Sequence, residues 1–332
     1  LNDQSATFTK IIQEAEQNIR DILSIPDSYA VLFLQDGASN QFSAIPLNFI
    51  NLKPSETANY LVTGYLSQLA AKEAEKFGTV NLVIPKQDKY TDVPDETTWK
   101  LTDNASYFYY CCSDPVYGIE FDYVPTIVPE DTPIICDMSY NFLTRTFDVT
   151  KFGAIFASAE YSFGPNSLTL VIVRKDLVQK STNKSIPVQL DYKIQMDNRS
   201  MDYAPPAYGV YIANKMFNWT KRQGGLKEMD QLSEKKSSLV YEVIDKSNGF
   251  YVSTVNTKYR SRISIQFRIV TNGSPNEKIE QLFLDQALRL QIIGFKDDRP
   301  IGGIYIDLHN NMTLQEITEL GDFMESFQGN DS

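Results

Sequence analysis

The chain has 332 residues, 42% of them hydrophobic and 22% charged, enough for two domains and a large core. A net charge of −11 repels nucleic acid and anionic membranes at long range, and the lysines of Lys221–Lys227 and Lys235–Lys236 are too few to form an opposing patch. No apolar run reaches the roughly 20 residues of a bilayer span and no secretory start is visible, so the chain is expected to be cytoplasmic, with no nucleic-acid and no membrane partner.

In chain order, the sequence starts at Leu1 rather than methionine, so a preceding segment is expected. Phe8, Ile11, Ile12, Ala15, Ile19, Ile22 and Leu23 recur at helical spacing, and Pro26 stops that helix. YAVLFL is a buried strand that turns at Asp36–Ser39 into a second helix, and a helix start of this kind can hold an anion. SYFYYCC and PIICDM read as strands. They carry Cys111, Cys112 and Cys136, an odd number in apolar surroundings that predicts reduced, buried thiols.

Phe152–Leu177, FGAIFASAEYSFGPNSLTLVIVRKDL, sets two apolar strands about a turn and presents Glu160, Tyr161 and Ser162 at a rim. A helix is predicted from Tyr208 to Trp219, and Gly224–Gly225 reads as a hinge between residues 1–225 and 226–332. Beyond it come a long amphipathic helix, the alternating strand RSRISIQFRIV, a helix through KIEQLFLDQALRLQI, the strand GGIYIDLHN and a last helix. No residues stand at metal-ligand spacing, and the single histidine, His309, reads as packed or surface.

Phe152–Leu177 resembles the cofactor-lysine segment of the phosphoserine aminotransferases, roughly FGxIxAGAQKNxGPxGxxxVIVRxxL. Gly153, Ala157, Ala159, Gly164, Pro165, Val171, Ile172, Val173, Arg174 and Leu177 match. The similarity continues in order along essentially the whole chain, through GAS at Gly37–Ser39, TGYLS, DMSYNFLTRTFDVTKFG and PPAYGVY. It implies an α/β fold of the fold-type I aminotransferases: a large three-layer domain on a mixed seven-stranded sheet, and a small C-terminal α+β domain. It also implies a dimer and a pyridoxal phosphate cofactor.

The family's chemistry positions are altered together. The Schiff-base lysine is Tyr161, its glutamine neighbour is Glu160, and the ring-stacking tryptophan is Leu66. Around the cofactor phosphate, Ala38 and Ser39 persist, but Asp36 replaces a glycine, Pro115 a threonine, and Tyr203 and Ala204 an Asn-Thr pair. The substrate positions hold Asp3, Gln4, Asp298 and Tyr305 in place of histidine and arginine, with Arg299 retained. Asp137 stands where the family pairs an aspartate with the pyridinium nitrogen. It serves equally well as a cap or hydrogen-bond hub, and a structural role is the expectation.

Each charge-assisted contact to a phosphate is worth about 1.5–3 kcal/mol, so losing several together removes useful affinity. The sequence therefore predicts a non-catalytic homologue, not an enzyme: a scaffold or regulatory subunit without cofactor, dimeric with itself or with an active paralogue. Two other readings stay open. One is a phosphoserine aminotransferase-like enzyme of serine biosynthesis with residual activity. The other is a repurposed acidic pocket that performs acid/base work on a cationic or neutral ligand.

Overall fold

The computed structural model describes residues 5–35, 37–202, 205–295 and 301–331. Helix α1 spans Ala6–Leu23. Ser5 caps it by accepting Phe8 N–H at 3.1 Å, and Phe8, Ile12, Ala15, Ile19 and Leu23 form its buried stripe. Strand β1 (Tyr29–Gln35) leads into α2 (Ser39–Phe49), β2 (Thr57–Leu61) into α3 (Tyr65–Ala74), and β3 (Thr79–Leu82) follows. Strand β4 (Tyr107–Cys111) precedes a small hairpin of β5 (Ser113–Asp114) and β6 (Ile119–Glu120). Then come β7 (Ile134–Asp137), β8 (Ala154–Ser158) and β9 (Leu168–Arg174).

Helices α4 (Lys175–Lys180), α5 (Tyr192–Asp197), α6 (Ala207–Arg222) and α7 (Leu226–Lys246) follow. The chain ends with β10 (Tyr251–Val252), β11 (Ser264–Thr271), β12 (Ser274–Pro275), α8 (Glu277–Arg289), β13 (Ile304–Asp307) and α9 (Leu314–Asp331).

Seven strands form one sheet in the order β1-β9-β8-β7-β4-β2-β3. Strands β3, β2, β4, β7 and β8 run parallel, β9 is antiparallel to both of its neighbours β8 and β1, and β1 therefore runs in the direction of the other five, so the sheet is mixed as expected. Its central strands are apolar on both faces because helices cover both. All of Tyr107–Cys111 and Ala154–Ser158 are buried. The three cysteines are buried and free.

Two separate hydrophobic clusters hold the chain together. One gathers α1, the seven-stranded sheet and α6. The other gathers α7, β11, β13, α8 and α9 around Phe267, Phe283 and Phe327. Gly224 and Gly225 join α6 to α7 with φ of 103° and 79°, a left-handed path that favours glycine.

Buried Glu120 ties the two clusters. One of its oxygens accepts Arg145 Nε at 2.5 Å, and the other accepts Ser261 Oγ at 3.0 Å and Arg262 N–H at 2.8 Å. Arg262 in turn pairs with Asp230 of α7, and Asp230 accepts the N–H and hydroxyl of Thr146.

Candidate active site

The parallel strands β2, β4, β7 and β8 end at one edge of the sheet, where open α/β folds place their ligands. Asp137 closes β7 there, in register with Cys111 and Phe156. It is fully buried. Its Oδ1 accepts Ser139 N–H at 2.9 Å, while Oδ2 has no hydrogen-bond partner. Burial raises its carboxyl pKa to about 6, against the lowering effect of Ser139. Tyr109 on the neighbouring strand likewise buries a hydroxyl with no partner, and burial, reinforced by the Asp137 charge, pushes that phenol well above its ordinary value.

The segment after β8 is a single 3₁₀ turn, Ala159–Tyr161, tied to the end of β7 through Ser139 Oγ, which accepts Ser158 N–H at 3.2 Å. Tyr161 is half-buried. It stacks on Tyr140 with ring centroids 3.8 Å apart, and Tyr140 donates its hydroxyl to that of Tyr161 at 2.6 Å. Glu160 is exposed. His309 comes in from the end of β13, with Nδ1 3.3 Å from the Tyr161 carbonyl, and Lys236 of α7 donates to the His309 carbonyl at 2.6 Å. So His309, read from sequence as packed or surface, borders the site.

Leu66 sits in the first turn of α3 with its side chain partly buried. Its N–H donates to Asp114 Oδ2 at 2.9 Å, and Asp114 Oδ1 accepts the N–H groups of Val116 and Tyr117 at 3.0 Å each. A carboxylate of the chain itself therefore sits at the start of α3, with Pro115 buried beside it in the β5–β6 turn. Gly64 is obligatory here, because a Cβ at that position would run into the Asp114 carboxyl group.

Ala38 caps α2 and Ser39 opens it, so that turn is a helix start, as expected. Tyr305 is buried in β13. Its hydroxyl donates to the Gly302 carbonyl at 2.9 Å, so the phenol in place of arginine is absorbed by local structure. Asp3, Gln4, Asp36, Tyr203, Ala204, Asp298 and Arg299 lie outside the described residues. Asp137, Tyr161, Leu66 and Pro115 thus come to one strand edge. Tyr140, Asp114 and Tyr109 join them although the sequence gives none of these three a motif of its own.

The residues fit a pyridoxal-type group at one end. A buried, unpartnered carboxylate oxygen on Asp137 suits a protonated ring nitrogen. At position 161 the chain offers a phenol, and no step through an imine there follows from this structure.

Residues 1–288 match the family described as aminotransferase class-V. A phosphoserine aminotransferase of Drosophila melanogaster is 42% identical over 330 residues, covering 99% of this chain and 89% of the fly protein. That of Chromobacterium violaceum is 36% identical, covering 98% and 88%.

Among solved structures, the phosphoserine aminotransferase of Bacillus circulans subsp. alkalophilus superposes with a TM-score of 0.93 at 34% identity, covering 100% of this chain and 90% of that one. The pyridoxal-phosphate-bound phosphoserine aminotransferase of Trichomonas vaginalis does so with a TM-score of 0.92 at 33% identity, covering 98% and 90%.

These relatives overturn the expectation that the chain is not an enzyme. That expectation rested on the replaced lysine and on the cofactor and substrate positions altered with it, whereas the whole-length relatives carry an enzyme's name and no observation shows activity to be lost. The sheet order, the strand-edge site and the whole-length similarity agree: the chain belongs to the class-V aminotransferase family, among its phosphoserine aminotransferases.

Proposed function

We propose that the chain is a phosphoserine aminotransferase-like enzyme of residual activity, exchanging an amino group between phosphoserine and a 2-oxo acid. The observation that carries this reading is Asp137, a fully buried carboxylate at the strand edge with one oxygen unpartnered. A group of that kind costs stability unless a ligand completes its hydrogen bonds. When bound, a pyridoxal-type ring supplies an electron sink for the amino acid's α-carbon.

The rest of the site orients and encloses. Asp137 holds the ring end, Leu66 packs without a π face, and the start of α2 at Ala38 and Ser39 is the place for the phosphate. Vestigial contacts at Pro115, Tyr203 and Ala204, and substrate positions Asp3, Gln4, Asp298 and Tyr305, predict weak binding. Arg299 is the basic group retained for the substrate's acid. A phenol at 161 cannot form the imine that a lysine amine forms, so turnover is expected to be low.

The same proposal divides the chain at Gly224–Gly225 into residues 1–225 and 226–332, with Val255 and Tyr259 of the second part packing into the first cluster and α7 to α9 carrying the second. It also takes the working unit as a homodimer, which sedimentation of the purified chain tests against pairing with a paralogue. The function itself is tested by incubating the chain with pyridoxal phosphate, phosphoserine and a 2-oxo acid. Amino transfer above the protein-free rate that D137A abolishes supports the reading. Transfer no faster than without protein, at saturating cofactor, overturns it.

A further inference from the structure

A second cavity, of about 220 Å³, lies against Tyr161. Glu160, Ser162, Ile212, Met216, His309 and Asn310 line it, and neither Asp137, Leu66 nor Pro115 does. It adjoins the candidate active site through Tyr161 but does not include Asp137, on which the proposed function rests.

Its polar groups include several acceptors. Glu160 is exposed, and its carboxylate makes no hydrogen bond or ion pair among the described residues. Ser162 is 8% exposed, with a buried Oγ that has no partner. A carbonyl can only accept, so the 3.3 Å contact with the Tyr161 carbonyl puts the hydrogen of His309 on Nδ1 and leaves Nε2 of the neutral ring as an acceptor. Buried Asn310 gives its amide N–H to the Leu143 carbonyl at 3.4 Å, which leaves its amide oxygen to accept.

Charge and size narrow the ligand. The Glu160 carboxylate disfavours an anion. A divalent metal needs several oxygen or nitrogen ligands, and the described residues contain no group of three or more His, Cys, Asp and Glu able to hold one. A primary ammonium brings one positive charge and three N–H donors, which match a carboxylate and several neutral acceptors. Ile212 and Met216 offer apolar cover for a short alkyl tail. At about 30 Å³ per water, the space equals about seven waters, room for a small molecule only. Lys236, which donates to the His309 carbonyl at 2.6 Å, brings a like charge to the same neighbourhood without lining the cavity.

We propose that this cavity binds a small primary alkylammonium compound, with Glu160 as its counter-ion and Ser162, His309 and Asn310 as acceptors. The test is calorimetric titration of ethylammonium chloride into the full chain at constant ionic strength, with sodium chloride and tetramethylammonium chloride as controls. Saturable ethylammonium binding that E160Q weakens about tenfold or more, and that D137N leaves unchanged, supports the site. Absence of saturable heat, an equal response to tetramethylammonium, which has no N–H to donate, or an E160Q affinity equal to wild type overturns it. Binding lost in D137N places the ligand in the other pocket and also overturns it.

Discussion

Tyr140 and Tyr161 lie face to face, their rings 3.8 Å apart and 26° from parallel, joined by a 2.6 Å hydrogen bond between hydroxyls. The pair holds the turn after β8 against the end of β7. Removing the donor alone, in Y140F, is expected to lower stability by about 1 kcal/mol, a typical net hydrogen bond. Y140A is expected to lower it further, because stacked aromatics contribute about 0.5–1.5 kcal/mol beyond burial. Urea unfolding of both variants checks this, and a Y140A as stable as wild type would contradict it.

Asp137 gives the fold a pH dependence. Its carboxyl is raised to about 6 by burial, so the native chain binds that proton more tightly than the unfolded chain, where aspartate titrates near its ordinary value. The stabilising contribution of protonation is therefore fully present below about pH 4 and is lost as pH rises through about 6. A shift of about two units corresponds to about 3 kcal/mol. D137N, which mimics the neutral form, is expected to be more stable than wild type at pH 7.5 by up to that amount, with the difference shrinking towards pH 4. Denaturant unfolding of both chains across this range measures it.

The Glu120–Arg145 pair is expected to matter more than any surface ion pair. Glu120 is buried, and its remaining bonds reach Ser261 and Arg262 across the chain. R145M strands that carboxylate and is expected to destabilise by about 3–5 kcal/mol, while R260M, which leaves the partner Asp245 largely solvated, should cost about 1 kcal/mol or less through its ion pair. Equal effects in the two variants would refute the difference assigned to burial.

Gly64 must stay small. A Cβ there collides with the Asp114 carboxyl that caps Leu66, so G64A is expected to destabilise by about 1–3 kcal/mol although the backbone at 64 is extended and suits any residue. Partial recovery of stability in G64A/D114A would locate the clash.

Local features were legible in the sequence, and their long-range pairing was not. The apolar stripe of α1 follows from a period of 3.6, whereas β11, alternating in sequence, is buried on both faces over its first four residues. The resemblance brought Asp137, Tyr161, Leu66 and Pro115 to attention as one set, and the fold gathers them at one strand edge. His309 beside Tyr161, 148 residues apart, and Glu120 beside Ser261, 141 apart, carry no periodic or motif signal. Nor did the sequence distinguish a tyrosine that replaces a lysine from one that also builds a stacked pair with Tyr140.

Asp137 is proposed to receive a pyridine ring at a site without a lysine. Pyridoxamine phosphate carries its own amine and needs no protein imine, so its equilibrium binding to wild type and D137A is the most direct measurement. Saturable binding to wild type that falls at least tenfold in D137A is the predicted result. No saturable binding to wild type, or equal binding to both, would contradict the account.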